Sequence, residues 1–472
     1  MTEISAVTLL AVGMLAAGQL QGQTAPSGRW EGAIVVLGSE LGMSVDFTTG
    51  DSGLSATMDI PQQSAKGLPL RQVRYEAPTV HFELLGGPGL AVFEGTLDGD
   101  SIVGSFSQSG VTGTFYLRPA GVAKSAVPPP PAEPVPYLEE EVTFTNGDVT
   151  LAGTLTIPEG QGPFPAAVMI TGSGAQNRDE EIFGLRPFRW IADYLTRHGI
   201  AVLRYDDRGV GGSSGTIQTA TSEDFAQDAL AGISLLAARG DIRREAIGLV
   251  GHSEGGIVAP MAAVRSPSVA FTVLLAGTAV TGEEILYAQG EAILRANGAT
   301  AEQLRIQREV QEMLFRAVRT NEGWEEAQQI VEQQARAAIA ELPEEQRAAI
   351  PDLDTFVRTR AQQQLVAVQL PWFRFFLDFD PATVLEKVNV PVLALFGEKD
   401  LQVPPDVNVG PMRAALERAP TKDFTIEVIP GANHLFQEAV TGSPNEYATL
   451  KKEFVPGFLD LMTRWILKHT SG

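Results

Sequence analysis

The residue pattern best suited to covalent chemistry in this chain is Gly251-His252-Ser253-Glu254-Gly255. It fits the pattern G-x-S-x-G, in which a strand turns directly into a helix and presents the serine hydroxyl at the edge of a sheet. Such a turn crowds the backbone, so glycines are needed on both sides of the serine. The segment AIGLVG before it has the character of a strand, and GGIVAPMAAV after it has the character of a helix. We therefore predict that Ser253 is a nucleophile.

A second match to the same pattern occurs around Ser213, in the segment Gly211–Gly215. Ser213 follows a loop and leads into TIQTATSED, which is polar and lacks helical spacing. We interpret Ser213 as a turn residue.

A serine hydroxyl becomes a good nucleophile only when a base takes its proton, and the chain has five histidines. His434 lies in the loop PGANH, directly after the strand-like segment FTIEVI. His252 lies inside the serine turn, His81 in a β-rich segment, His198 at a helix end and His469 in the C-terminal tail. His434 is therefore the predicted base.

A carboxylate is needed to fix the tautomer of that histidine and to stabilise its protonated form. Asp400 closes the segment VPVLALFGEKD, at the end of the preceding predicted strand. Glu398 is the alternative, but it lies two residues closer to the strand. The order of Ser253, Asp400 and His434 along the chain supports the same assignment.

Two N–H groups are needed to stabilise an oxyanion that develops during attack on a carbonyl group. The backbone N–H of Glu254 is the first predicted donor. The second is expected from the glycine-containing loop after AAVMIT, with Ser173 or Gly174 as the donor and Gln176 as a wall of the pocket.

The elements that must position these residues begin at residue 137. Strand-length apolar runs alternate there with helical stretches, which predicts a doubly wound, mostly parallel sheet covered by helices on both faces. An antiparallel hairpin is predicted across Asn146-Gly147, and a C-terminal helix over 447–468. We assign residues 137–472 to this α/β domain.

About a hundred residues separate VLLAG from VPVLALFG, and their spacing is helical over 283–341 and 354–366. This insertion follows the sixth strand of the α/β domain, so residues 281–375 are predicted to form a helical cap over the edge of the sheet. Trp372 and Phe376 lie at its end. They either line an acyl pocket or dock the cap onto the sheet.

The N-terminal part of the chain differs in pattern. Residues 28–118 contain short alternating runs separated by turn residues, which predicts a small all-β barrel or sandwich. Residues 119–136 include AGVAKSAVPPPPAEPVP, a proline-rich linker.

Residues 6–18 form an apolar run of signal-peptide length, too short to span a bilayer. We predict a signal peptide over residues 1–25 and export of a mature chain that does not insert into membranes. Glu3 and the lack of Lys or Arg among the first five residues depart from the pattern. A buried N-terminal helix in a cytoplasmic protein is therefore the alternative.

The formal net charge of −22 disfavours nucleic acid and membrane surfaces as partners, because both are anionic. The chain has no cysteine, which excludes disulfides, thiol nucleophiles and Cys-ligated zinc. Asp206 and Asp207 have no third metal ligand nearby. No cofactor and no metal are predicted, and the oligomeric state is left open.

The segments ITGSGAQNRDE, YDDRGVGGSSG, GHSEGG, PVLALFGEKDLQVP and GANHLF together resemble the bacterial capped α/β-hydrolases grouped with carboxylesterases and serine-aminopeptidase-like enzymes. The resemblance covers roughly residues 140 to 470. Thr171 departs from it, since members of the family usually have histidine at that position. Asp206, Asp207 and Arg208 resemble the structural turn of the family.

The resemblance and the residues together predict a serine hydrolase that cleaves a small-molecule ester with a small to medium acyl group, through an acyl-enzyme. A serine peptidase or aminopeptidase with the same three residues is the first alternative. An aminopeptidase needs carboxylates in the cap for the substrate ammonium, and Glu283, Glu284 and Glu291 are the candidates. A non-catalytic binding protein is the second alternative.

Overall fold

The computed structural model describes residues 25–36, 39–50, 53–60, 65–86, 89–108, 111–120, 135–182, 185–340, 347, 353–447 and 450–471. Residues 1–24 of the predicted signal peptide and 121–134 of the predicted linker lie outside these ranges. Of the helices within them, none combines the length and the hydropathy needed to cross a bilayer. The chain divides into two compact units, the first of which holds most residues up to Lys124.

The first unit is a closed antiparallel barrel of eight strands in sequence order, in which β1 also pairs with β8. Strand alternation directs Phe47, Phe82, Phe93 and Phe115 into the barrel, where they are buried. The rings of Phe82 and Phe93 stack with their centroids 4.6 Å apart. The predicted all-β fold is confirmed. Its strands are β1 (Gly28–Val36), β2 (Ser39–Gly50), β3 (Gly53–Ile60), β4 (Ala65–Glu76), β5 (Thr79–Gly86), β6 (Gly89–Asp98), β7 (Ser101–Gln108) and β8 (Val111–Pro119).

The second unit contains an eight-stranded sheet in the order β16-β15-β14-β13-β11-β12-β10-β9. The predicted hairpin of β9 and β10 is present, but its turn residues are Gly147 and Asp148, because Asn146 still pairs with Val149. Strand β10 runs antiparallel to β12. All other pairs in this sheet are parallel. Its strands are β9 (Tyr137–Asn146), β10 (Val149–Pro158), β11 (Phe164–Ile170), β12 (Ala201–Tyr205), β13 (Ile242–His252), β14 (Thr272–Leu275), β15 (Val392–Gly397) and β16 (Phe424–Ile429).

Eleven α-helices of the second unit are described. The predicted helix over 447–468 is wrong in its first part, because the helix begins only at Phe458. Pro456 and Gly457, the latter with φ +85°, interrupt the chain before it. This helix continues to Thr470, so His469 lies in its last turn and not in a loose tail. The helices are α1 (Pro187–Arg197), α2 (Ser222–Ala237), α3 (Gly255–Ala263), α4 (Gly282–Ala296), α5 (Ala301–Thr320), α6 (Trp324–Ala340), α7 (Leu353–Gln369), α8 (Pro371–Asp378), α9 (Ala382–Leu385), α10 (Pro405–Arg418) and α11 (Phe458–Thr470).

The central strands are buried on both faces, and the buried residues described in the main hydrophobic core of this unit run from Phe144 to Ile466. The parallel strands β13, β15 and β16 end at His252, Gly397 and Ile429. Their carboxyl ends lie at one edge of the sheet, so the segments that follow them emerge together. Ser253, Asp400 and His434 all lie in those segments.

The five helices α4 to α8 lie between β14 and β15, and we refer to them as the helical insertion. They have a hydrophobic cluster of their own, separate from the main core. It contains Val310, Met313, Leu314, Phe315, Val318, Ala327, Val331, Ala361, Leu365 and Leu377.

A shortened chain that begins at Val135 is expected to fold and to keep the reactivity of Ser253. The buried residues described in the main core all belong to the second unit, and the first strand of the large sheet begins at Tyr137. A cooperative melt by circular dichroism and stoichiometric labelling by a fluorophosphonate would test this. An insoluble or unreactive product would show that the barrel belongs to the folding unit of the large sheet.

Candidate active site

Ser253 occupies the sharp turn between β13 and α3, with φ +52°. A positive φ is strained for a residue with a side chain and is typical of functional turns. The Ser253 N–H donates to the carbonyl oxygen of Leu275 at 2.8 Å, which anchors the turn to the next strand. A Cβ on Gly251 would lie 1.9 Å from the Gly255 oxygen, and one on Gly255 would lie 2.2 Å from the Ile170 oxygen. The predicted need for glycines beside Ser253 is confirmed.

His434 and Asp400 form a buried hydrogen-bonded pair, with His434 Nδ1 2.8 Å from Asp400 Oδ2. The backbone N–H groups of Gln402 and Val403 donate to Asp400 Oδ1, each at 2.8 Å. These two bonds fix the carboxylate, which in turn fixes the orientation of the imidazole. His434 Nε2 has no hydrogen bond to any residue in the described ranges. This nitrogen is therefore free to accept a proton.

The loop that carries His434 is held by Asn433. This buried residue accepts hydrogen bonds from the N–H groups of Leu435 and Gln437 at its Oδ1, both at 2.9 Å. Glu398, the alternative acid, instead accepts from the N–H of Gly431 at 2.8 Å. The structure thus pairs Asp400 with the histidine and uses Glu398 to brace its loop.

The loop after β11 packs directly against the nucleophile turn, since a Cβ on Gly172 would lie 3.3 Å from Ser253 Cβ. The Gly172 N–H is already used, because it donates to Glu180 Oε1 at 2.6 Å. The N–H groups of Ser173, Gly174 and Glu254 donate to no other described residue. These are the three N–H groups predicted as candidate oxyanion donors.

Gln176 braces the loop of these donors. Its N–H donates to Asp207 Oδ2 at 2.9 Å, and its side-chain Nε2 donates to the carbonyl oxygen of Ser173 at 3.3 Å. The side chain therefore folds back onto its own loop. Gln176 as a pocket wall stays a prediction.

The side chain of Glu254 joins the nucleophile turn to the helical insertion. Its buried carboxyl oxygen Oε1 accepts from Ser222 Oγ and from Trp372 Nε1, both at 2.6 Å. Burial raises the pKa of Glu254 above its usual range, although both hydrogen bonds act in the opposite direction. Trp372 also stacks on Phe376, with the ring centroids 5.2 Å apart, and Phe376 packs against the main core. Trp372 and Phe376 thus make docking contacts.

Asp206 and Asp207 take structural partners. Asp206 pairs with the guanidinium of Arg178 at 2.8 Å. Asp207 accepts from Thr171 Oγ1 at 2.9 Å, and burial raises the pKa of Asp207 well above its usual range. Thr171, where the resembled family usually has histidine, therefore acts as a hydroxyl donor. Within the described ranges, no group of three or more His, Cys, Asp or Glu residues is arranged to hold a metal.

Sequence reasoning missed Glu180 and the role of His252. Glu180 is buried between the Gly172 N–H and His252 Nδ1, which lies 2.8 Å from its Oε1. His252 Nε2 lies 2.9 Å from the carbonyl oxygen of His434. Glu180 and His252 are 72 positions apart, so no local pattern links them.

A family model described as the alpha/beta hydrolase family matches residues 167–449, which is more than half of the chain. The chain belongs to the alpha/beta hydrolase family. The match includes Ser253, Asp400 and His434. Membership of this family confirms the resemblance drawn from the motifs. The barrel confirms the all-β unit predicted from the alternating runs of residues 28–118.

This alpha/beta hydrolase is similar to Esterase EstD of Thermotoga maritima, with 28% identity over 337 residues that cover 70% of this chain and 69% of the relative. It is also similar to the solved structure of the Pyrococcus furiosus esterase Pf2001, with 14% identity, a TM-score of 0.44, and coverage of 72% of this chain and 92% of that one. A proline iminopeptidase from Mycobacterium smegmatis shows 18% identity and a TM-score of 0.43, with coverage of 70% and 99%.

Proposed function

We propose that this protein hydrolyses carboxylic esters with small to medium acyl groups, with Ser253 as nucleophile, His434 as base and Asp400 as its orienting acid. The observation that carries the proposal is the buried 2.8 Å hydrogen bond between His434 and Asp400, at the sheet edge where Ser253 occupies its strained turn. The similarity to a relative named as an esterase supports an ester as the substrate.

In the first half of the reaction, Ser253 Oγ attacks the ester carbonyl carbon while its proton passes to His434 Nε2. The electron pair of the carbonyl double bond moves onto the oxygen. When the carbonyl re-forms, the bond to the alcohol oxygen breaks, and the alcohol leaves with the proton from His434. The acyl group is then bonded to Ser253.

In the second half, water attacks the acyl carbon and gives its proton to His434 Nε2. Collapse of this intermediate breaks the bond to Ser253 Oγ, which takes the proton back. Throughout, Asp400 accepts the hydrogen bond from His434 Nδ1 and stabilises the imidazolium. The carboxylic acid leaves and the enzyme returns to its starting state.

The negative oxygen that forms in each half needs N–H donors, which are most effective when they are fixed in advance. The N–H of Glu254 is the first donor, because it follows Ser253 directly and has no other partner within the described ranges. We assign the second to Ser173, with Gly174 as the neighbouring alternative. Gly172 lies against Ser253 but its own N–H is bound to Glu180.

Contacts in the helical insertion favour an ester over an aminopeptidase substrate. Glu283 accepts from Arg319 at 2.7 Å and from Tyr287 at 2.8 Å. Glu284 caps its own helix at Thr281, and Glu291 is paired with Arg295 at 2.6 Å. All three carboxylates considered for a substrate ammonium thus have partners in the protein.

The experiment that tests the function is a comparison of kcat/KM on p-nitrophenyl esters of increasing acyl length and on aminoacyl p-nitroanilides. Ser253→Ala protein provides the blank for contaminating activity. We expect turnover of acetate and butyrate esters and background rates on the anilides. Faster turnover of an anilide would favour the peptidase alternative. Background rates on every ester and anilide would favour a binding protein.

The size limit follows from the helical insertion, which we propose to be a cap over the active site. It begins after the carboxyl end of β14, at the edge from which Ser253 and His434 emerge, and the chain then returns to the start of β15. The hydrogen bond from Trp372 to Glu254 holds its last helix against the nucleophile turn. A roof at this position excludes polymers and long triacylglycerols.

Trp372→Phe is expected to lower stability by about 1–3 kcal/mol, because the buried carboxyl of Glu254 loses a donor. It is also expected to shift the acyl preference towards longer esters, because the cap is held less tightly. Denaturant unfolding and kcat/KM for acetate, butyrate and octanoate esters would measure both effects. Phe376→Ala, which removes the stacked ring, is expected to shift the preference in the same direction.

Trp324→Phe is the matched control, since the half-buried Trp324 of the same insertion donates to Asn321 through a solvent-exposed hydrogen bond, and phenylalanine keeps an aromatic ring at this position. Trp324→Phe should change neither the stability nor the acyl preference. Unchanged stability and unchanged preference in Trp372→Phe protein would contradict its role in holding the cap.

A further inference from the structure

His252 is a buried titratable residue that the proposed reaction does not use. Its Nδ1 lies 2.8 Å from Glu180 Oε1, and its Nε2 lies 2.9 Å from the carbonyl oxygen of His434. The rings of His252 and His434 are close, with centroids 4.7 Å apart. His252 is thus in direct contact with the segment that carries the proposed base.

The partners of the His252 ring decide its protonation state. A backbone carbonyl can only accept a hydrogen bond, so Nε2 must donate to His434. Glu180 Oε1 already accepts from the Gly172 N–H at 2.6 Å, which favours Nδ1 as the donor in the second hydrogen bond. Both ring nitrogens donate only in the imidazolium form. The two partners therefore favour a buried imidazolium at His252.

The charge of Glu180 explains why this cation is stable. Glu180 is buried, and its Oε2 has no hydrogen-bond partner among the described residues. An ionised carboxylate in such a place is costly without a counter-charge, which the imidazolium supplies. Burial alone lowers the pKa of His252, but the charge of Glu180, its hydrogen bond, the hydrogen bond to the His434 carbonyl and the charge of Asp400 together raise that pKa.

This ion pair connects three segments of the proposed active site. Glu180 Oε1 holds the Gly172 N–H, at the start of the loop with the oxyanion donor Ser173. His252 is the residue before Ser253 on β13. Its Nε2 holds the carbonyl oxygen of His434.

We propose that Glu180 and His252 are positioning residues, and that their carboxylate–imidazolium pair fixes the oxyanion loop and the His434 loop relative to Ser253. The effect that we expect on the rate of ester hydrolysis rests on the proposed function. The charge state of His252 is independent of that function.

The groups that face His252 are Glu180 on the loop before α1, Asp400 after β15 and His434 after β16. Asp207, after β12, is in turn influenced by the charge of Glu180. Because the pKa of His252 is raised in the folded state, the pair stabilises the fold fully below the ordinary value of 6.5. That contribution is lost as the pH rises through the raised pKa.

The first test uses the full-length wild-type chain and histidine-selective 15N NMR. At a pH just above the ordinary histidine pKa of about 6.5, both ring nitrogens of His252 should still be protonated. Assignment comes from the spectrum of His252→Gln protein, in which that pair of signals disappears. A single protonated nitrogen on His252 in this range overturns the proposal, whether or not the protein has esterase activity.

The second test is kinetic and uses Glu180→Gln. The amide keeps the shape of the side chain but removes the charge, so His252 keeps one proton and can donate to only one of its two partners. Displacement of a reacting group by about 1 Å costs on the order of 10²-fold in rate. We expect kcat on p-nitrophenyl acetate to fall by about this factor with KM nearly unchanged, because both residues are buried.

Rates are divided by the number of sites that a fluorophosphonate labels, so that loss of folded protein does not count as loss of kcat. The matched control is Glu94→Gln, which breaks the pair of Glu94 with His81 in the barrel. It should leave kcat, KM and their pH profiles unchanged. A wild-type kcat per labelled site in Glu180→Gln protein overturns the positioning role.

A third readout separates positioning by an ion pair from simple packing. The difference in Tm between wild-type and Glu180→Gln protein should shrink as the pH rises from about 6 to about 9, because the wild-type pair loses its proton. A difference that stays constant overturns the ion pair. If wild-type protein hydrolyses no ester while His252 is doubly protonated, the proposed function fails and the ion pair stands.

Discussion

Ser253→Ala is expected to lower ester turnover by about 10⁶-fold while the fold stays intact, as is typical when a serine nucleophile is removed. Ser253 is half-buried, and its N–H and turn geometry are set by the backbone, which alanine leaves in place. The loss should be measured as kcat on p-nitrophenyl acetate, together with the loss of fluorophosphonate labelling. The melting temperature should change little.

Ser213→Ala is the matched control because Ser213 lies in the other G-x-S-x-G match. Its buried hydroxyl donates to the Asp206 carbonyl oxygen at 2.7 Å and accepts from the Ala152 N–H at 2.9 Å. We expect this variant to be less stable but to label normally at Ser253. Labelling of wild-type protein at any serine other than Ser253 would show that the nucleophile has been assigned wrongly.

Asp400→Asn is expected to lower kcat by about 10⁴-fold, because it reverses the tautomer of His434. The N–H groups of Gln402 and Val403 donate to Oδ1 of Asp400, so an amide at this position must keep its oxygen there. Its NH₂ group then faces His434 Nδ1 and donates to it. The proton of the neutral imidazole moves to Nε2, which can no longer accept the proton of Ser253.

Glu398→Gln is the control, two positions away on the same loop. Glu398 accepts a hydrogen bond from the Gly431 N–H, which a glutamine oxygen also accepts. We expect kcat close to that of the wild type. Equal losses in both variants would show a general disturbance of the loop, and a larger loss in Glu398→Gln would make Glu398 the orienting acid.

The strand-to-helix turn at Ser253 and the polar loop of His434 could be predicted because their signals are local. In both places, a segment of strand length is followed within a few residues by a chemically active side chain, with a glycine close before it. The alternation in the first hundred residues likewise predicted an all-β unit, because strand periodicity is a property of each segment alone. The C-terminal helix was placed too early, because its apolar spacing extends across Pro456 and Gly457, where the backbone cannot stay helical.

The tertiary structure decided which side chains meet. Trp372 lies 118 positions from Glu254, and His252 lies 182 positions from His434. No local pattern in the sequence therefore predicts either hydrogen bond. Sequence reasoning left open whether Trp372 lines a pocket or docks the cap, and its contact with a buried carboxyl appears only when the helical insertion packs on the sheet. The charge that we propose for His252 rests on its two partners, which are brought together only by the order of the strands. Local sequence fixes the conformation of a turn through sterics, but the proton on a buried ring depends on groups that only the folded chain places around it.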